Sequence, residues 1–120
     1  MLINVKVNNI NLETVIEYQT VVDAEAMIEI AKEREPMMRE KGKTFAQGSV
    51  PYWCGELVKA VQAGDEERIE YSAINSAMTA WLADSIYSGL TENEFLASDL
   101  YFTLEPTGMV RYTRKTAKLA

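Results

Sequence analysis

Cys54, in the run Tyr52-Trp53-Cys54-Gly55, is the obvious nucleophile of this chain by residue type. A reactive thiolate needs a base, a cation or a helix N-terminus to lower its pKa, and a helix beginning near Pro51, with Lys59 about one turn on, offers the last two. The competing reading is packing, since free cysteine is among the most buried residue types. Carboxylates offer a second chemistry: Glu29 with Glu33, or Glu66 with Glu70, stand four residues apart and bring oxygens to one helical face, as a hard cation requires. Such pairs on a wet face are ordinarily solvated surface, so no metal site and no cofactor is assigned. Asp84 is different because it interrupts an apolar segment. It marks the edge of a buried face, or is held by a basic partner such as Arg68 or Arg111; buried and unpaired, its pKa would be raised. Gly42-Lys43-Thr44 echoes the end of a phosphate loop, but the glycine needed at position 37 is Met37.

The chain has no histidine. This removes the side chain best suited to proton transfer near neutral pH and the commonest nitrogen ligand of zinc and copper. Histidine-based serine or cysteine triads are therefore excluded. Recognition is a better expectation than turnover. Its candidate surfaces are Phe45, Tyr52 and Trp53, aromatic anchors if exposed, and an acidic ridge of Glu25, Glu29 and Glu33, spaced about 6 Å apart by helical rise. Lys32 and Arg34 dilute that ridge, which would suit a basic, nucleic-acid-handling partner.

A second candidate surface is basic. Arg111, Arg114, Lys115 and Lys118 place four of the 12 basic residues in the last ten positions, and with Tyr101 they resemble in composition a single-strand nucleic-acid surface. Alternation weakens this reading, because Arg111 and Tyr112 must point to opposite faces. The net charge of −6 argues against non-specific binding to nucleic acid or anionic membrane by the chain as a whole. An acidic body with a basic end is able to self-associate head to tail or to offer either end to a partner.

Length and composition bound the scaffold. The 120 residues, 48% hydrophobic and 25% charged, make one globular domain over 1–120. One cysteine allows no internal disulfide, no apolar run is long enough to span a bilayer, and the opening MLINVKVNN is unlike a signal peptide, so a cytoplasmic location is expected.

The elements that would position these residues centre on 65–88. Asp65, Glu66 and Glu67 suit a helix start, residues 71–83 carry no charge, and Gly89 is a stop. Apolar residues spread round most of that helix, which must be covered on most sides. Ile3, Val5 and Val7 alternate as a strand, the asparagines at 8, 9 and 11 suggest a tight turn, and Leu12 to Val22 reads as the returning strand. Asp23 caps a helix over about 23–35 that should break before Pro36. Gly42 to Pro51 reads as the longest loop, Pro51 begins a helix over 52–63, and Thr91 with Glu94 forms a capping box for a short helix over 92–97. Leu100 to Glu105 and Met109 to Thr113 alternate round a Pro106-Thr107-Gly108 turn, and a frayed tail follows from Arg114. The predicted fold is α+β: N- and C-terminal hairpins joined in one antiparallel sheet, covered by three main helices and the short one.

Taken together, the sequence points to a non-enzymatic, regulatory or inhibitory protein-interaction module with self-association. The alternatives are a nucleic-acid-binding accessory protein using the C-terminal hairpin, and an enzyme using Cys54 or Asp84.

Overall fold

The computed structural model describes residues 1–10 and 15–116. Asn11, Leu12 and Thr14 of the expected turn and strand, and Lys118 of the basic tail, lie outside the described residues. The order is β1 (Leu2–Ile10), β2 (Val15–Asp23), α1 (Ala24–Lys41), α2 (Lys43–Ala63), α3 (Glu66–Ser88), α4 (Glu92–Leu96), β3 (Ser98–Leu104) and β4 (Val110–Thr116). The class is α+β, and both hairpins join in one sheet, as expected.

The sheet order is β2-β1-β3-β4, and its central seam, β1 with β3, is parallel, so the sheet is mixed rather than antiparallel. Alternation dictates which face a side chain takes but not the direction in which the strand runs. Direction follows from where α4 delivers the chain into β3. Ile3, Val5, Val7, Val22, Leu100 and Phe102 point to the helices and are fully enclosed. Asn8 belongs to β1 and not to a turn, so β1 is longer than its hydrophobic alternation suggested.

Helix α3 is the hub. Nine residues between Ser72 and Leu82 are buried, covering nearly its whole circumference. Asp65 caps its start by accepting from the Arg68 amide at 3.1 Å, and Gly89 closes it at φ 68°, a left-handed conformation that favours glycine. Three polar members of the buried run bond back to their own helix: Asn75 Nδ2 donates to the Tyr71 carbonyl at 2.9 Å, Ser76 Oγ to that of Ser72 at 2.8 Å and Thr79 Oγ1 to that of Ser76 at 3.0 Å, while Ser72 Oγ and Asn75 Oδ1 have no partner among the described residues. Small side chains at these positions let α2 pack against α3 in the largest helix–helix contact of the fold.

Two helices run further than the prolines suggested. Helix α1 passes through Pro36 to Lys41. Pro36 is exposed, so the Lys32 carbonyl that loses its donor faces water. The added turns are held by Met38, which is buried and whose carbonyl accepts from the Tyr87 hydroxyl at 3.3 Å and from the Gly42 amide at 3.0 Å. Helix α2 begins at Lys43, replacing the loop expected over 42–51, and takes Pro51 into its interior. Here the apolar stripe of Ala46, Val50, Cys54, Leu57 and Val58, all buried, outweighs the low helical preference of Gly48 and Pro51. Gly42, at φ 92°, is the single residue joining α1 to α2. At the other end, β4 continues through Arg114 to Thr116 where a frayed tail was expected, because Arg114 has an inward partner.

Candidate functional site

The helical course of 43–63 turns three of the expected anchors into one surface. With Ala46, Val50 and Cys54 facing inward, Phe45, Ser49, Tyr52 and Trp53 recur at helical spacing on the outer side of α2. Phe45 is 42% exposed and Tyr52 58%, while Trp53 is half-buried. Tyr52 meets Trp53 edge-on at 5.2 Å between ring centroids, and Trp53 meets Tyr71 of α3 in the same way at 5.5 Å. Arg34 of α1, with Phe45, Gly48, Tyr52 and Trp53, borders a groove of about 500 Å³. Cations ring the aromatics: Lys41 Nζ lies 5.2 Å from the Phe45 ring centre, and the Arg68 guanidinium 5.3 Å from that of Tyr71. Gly48 forms the floor, where a β-carbon would meet nothing within 4 Å.

The acidic ridge lies elsewhere. Glu25, Glu29 and Glu33 are all exposed on α1, but Glu25 and Glu29 border a different groove, of about 250 Å³, with Ile28 of α1 and Glu92 and Leu96 of α4. The expected partner surface is thus two surfaces of opposite charge. The chain was compared with protein-family models, curated proteins and solved structures. It matches none of them.

The basic hairpin divides in the way alternation requires. Tyr101, Arg111 and Lys115 point to the uncovered face of the sheet, whereas Arg114 points inward. On the uncovered face, Lys6 Nζ donates to the Tyr101 hydroxyl at 3.1 Å, which raises the lysine pKa, and Lys6 and Lys115 each bring an ammonium to 4.9 Å from the Tyr101 ring centre. Arg111 is paired with Glu105 at 2.6 Å. The ring that would stack on a base is already occupied from both flanking strands.

Asp84 has a partner, and it is neither Arg68 nor Arg111. Its Oδ2 accepts from the Tyr112 hydroxyl at 3.0 Å and from Arg114 Nε at 3.2 Å, while Arg114 Nη1 reaches Ser98 Oγ at 3.3 Å. Burial pushes the Asp84 carboxyl up, against the lowering effect of Tyr112 and Arg114. Burial likewise raises Tyr112, aided by the neighbouring Asp84 charge. A hollow of about 320 Å³ adjoins this cluster, with Tyr87 and Gln47 at its sides. Cys54 is fully enclosed, and burial pushes its thiol up to about 12, which suits packing and not nucleophilic attack. Among the described residues no three cysteine or carboxylate side chains come together to hold a metal ion, and no helix is long and apolar enough to cross a membrane.

Arg34, Gly48 and Ser49 are the groove residues that sequence reasoning missed, with Tyr71 beside them against Trp53. The signal was present as the helical recurrence of Phe45, Tyr52 and Trp53, masked by two glycines and a proline.

Proposed function

We propose that this protein is a non-enzymatic cytoplasmic binding module whose contact surface is the aromatic groove of α2. The observation that carries this reading is the row of Phe45, Tyr52 and Tyr71, 42%, 58% and 46% exposed, linked through Trp53 and rimmed by cations. Large aromatics left in water on a protein with an otherwise well-filled core are the usual energetic centre of an interface. Binding there would be regulatory or inhibitory by occlusion: the protein covers a surface of its partner and performs no chemistry on it. The acidic face of α1 offers a second contact to a basic partner, with a strong dependence on salt.

The test is a comparison of wild type with Tyr52→Ala as bait in host extract. Tyr52 contributes little to the core, so the variant should fold normally and lose the captured partner. Identical capture by both baits would refute the groove as the contact surface. A second reading, nucleic-acid binding through the C-terminal hairpin, rests on the Lys6 and Lys115 ammonium groups gathered on the open sheet face, which would meet phosphate and not a stacked base. It expects a salt-sensitive mobility shift of single-stranded DNA or RNA that Lys115→Glu abolishes.

A further inference from the structure

Gly48 has no internal reason to be glycine. It lies inside a helix, where glycine is about 1 kcal/mol less favourable than alanine, its φ is not positive, and a β-carbon would meet nothing within 4 Å. The bare backbone there is open to solvent, as it is at Gly55 on the same helix, but only at Gly48 do Phe45 and Tyr52 flank it. Phe45 and Tyr52 stand three residues before and four after it, so both project beside the gap.

The same molecule carries a surface that complements this one. The α2 groove has Arg34 on its wall and Lys41 at its rim, and among the described residues no carboxylate lines it. The α1–α4 groove has Glu25, Glu29 and Glu92 with Lys32 beside them and the Met1 ammonium 3.3 Å from Glu25, and an apolar floor that includes Ile28 and Leu96. One surface presents protruding aromatics and positive charge. The other presents an apolar furrow and negative charge.

Their placement sets the kind of assembly. Arg34 is five residues beyond Glu29 and nine beyond Glu25 on one helix, which puts it about 140–180° round the α1 axis from them. A protomer therefore cannot close the two surfaces on itself, and a two-fold pair would set cations against cations. We infer that the second copy of this chain is the occupant of the α2 groove, with Phe45 and Tyr52 of one protomer seated in the α1–α4 furrow of the next. Surfaces on opposite sides of one helix join protomers head to tail, giving open chains and not closed dimers. This rests on the α2 groove being a contact surface, as proposed above, and adds what fills it.

Sedimentation velocity and light scattering on the purified protein test this. The wild type should show an average mass that rises continuously with concentration and falls back to the protomer in about 0.5 M salt, where screening acts within a few ångströms. Arg34→Glu leaves the protein only an acidic furrow, and Glu25→Lys with Glu29→Lys leaves it only a basic groove; each should weaken self-association tenfold or more and stay monomeric. Mixed in equal amounts, the two variants should associate again, because the intact groove of one meets the intact furrow of the other and the two reversed surfaces are once more opposite in charge. Glu25 and Glu29 are exposed and Arg34 is half-exposed, and circular dichroism of each variant checks the fold. A wild type that stays monomeric to millimolar concentration, or variants that fail to pair when mixed, would overturn the inference. Either result leaves the Tyr52-dependent capture of a different partner standing, so the two proposals fail separately.

Discussion

Substitutions at Gly48 probe the helix and the groove together. In α2, alanine at this position removes a glycine from an exposed helix interior with open space for the new methyl group, so the expected gain is about 0.8–1 kcal/mol. For a domain of this size that corresponds to a rise in melting temperature of about 4 °C. Proline at the same position would remove an intrahelical hydrogen bond and clash with the preceding turn, at about 3 kcal/mol or more. The two variants should therefore differ by roughly 4 kcal/mol in urea unfolding followed by circular dichroism. A surface loop over 43–51 would accept both changes with little difference between them, and a gap below about 1 kcal/mol would refute the helical course. The groove adds an opposite sign. If a second molecule packs against the bare backbone, Gly48→Ala should weaken self-association while stabilising the protomer, a combination that no general change in stability produces.

Three further outcomes follow from the interior. Cys54 is enclosed and its thiol raised, so an aromatic disulfide reagent at pH 8 should react only as fast as the protein unfolds; rapid stoichiometric labelling of the native protein would contradict the packing of α2. Leu82→Ala removes a fully buried side chain from the hub helix and should cost about 2–5 kcal/mol in urea unfolding, whereas a cost below about 1 kcal/mol would mean α3 is not the centre of the core. The folded-state pKa of Asp84 lies above its unfolded value, so its contribution is most favourable below the unfolded pKa of about 3.8 and declines as pH rises through the folded value. Relative to Asp84→Asn, the wild type should accordingly lose stability as pH is raised from about 4 towards neutrality, and a difference that is flat or rises with pH would contradict that sign.

What was legible in the sequence was periodicity backed by a strong terminus signal. The hub helix announced itself through Asp65 at one end, Gly89 at the other and a chargeless run between; the Thr91–Glu94 capping box is present with both bonds formed. Alternation gave the strands and divided the C-terminal hairpin correctly. Two kinds of information were not local. The parallel seam between β1 and β3 depends on how helices spanning residues 24–96 return the chain, which no strand's own pattern records. The passage of helices through Pro36 and Pro51 depends on burial of Met38, Ala46 and Val50 by other elements, which offsets a local penalty of about 3 kcal/mol per proline. The site shared that fate: its aromatics were identified, but their alignment on one helix face, and the part of Arg34 and Gly48 in it, emerged only once that stretch was helical. The frayed tail expected from Arg114 failed for a related reason, since β4 continues to Thr116 and the partner of Arg114, Asp84, is 30 residues away in sequence.

A dilution series of backbone NMR spectra tests the exposed α2 groove and its occupant in one experiment. Helical carbon shifts throughout 43–51, with concentration-dependent amide shifts confined to residues around 45–53 on one side and 24–32 with 92–96 on the other, are the expected result. Coil-like shifts over 43–51, or concentration effects concentrated on the open face of the sheet, would contradict it.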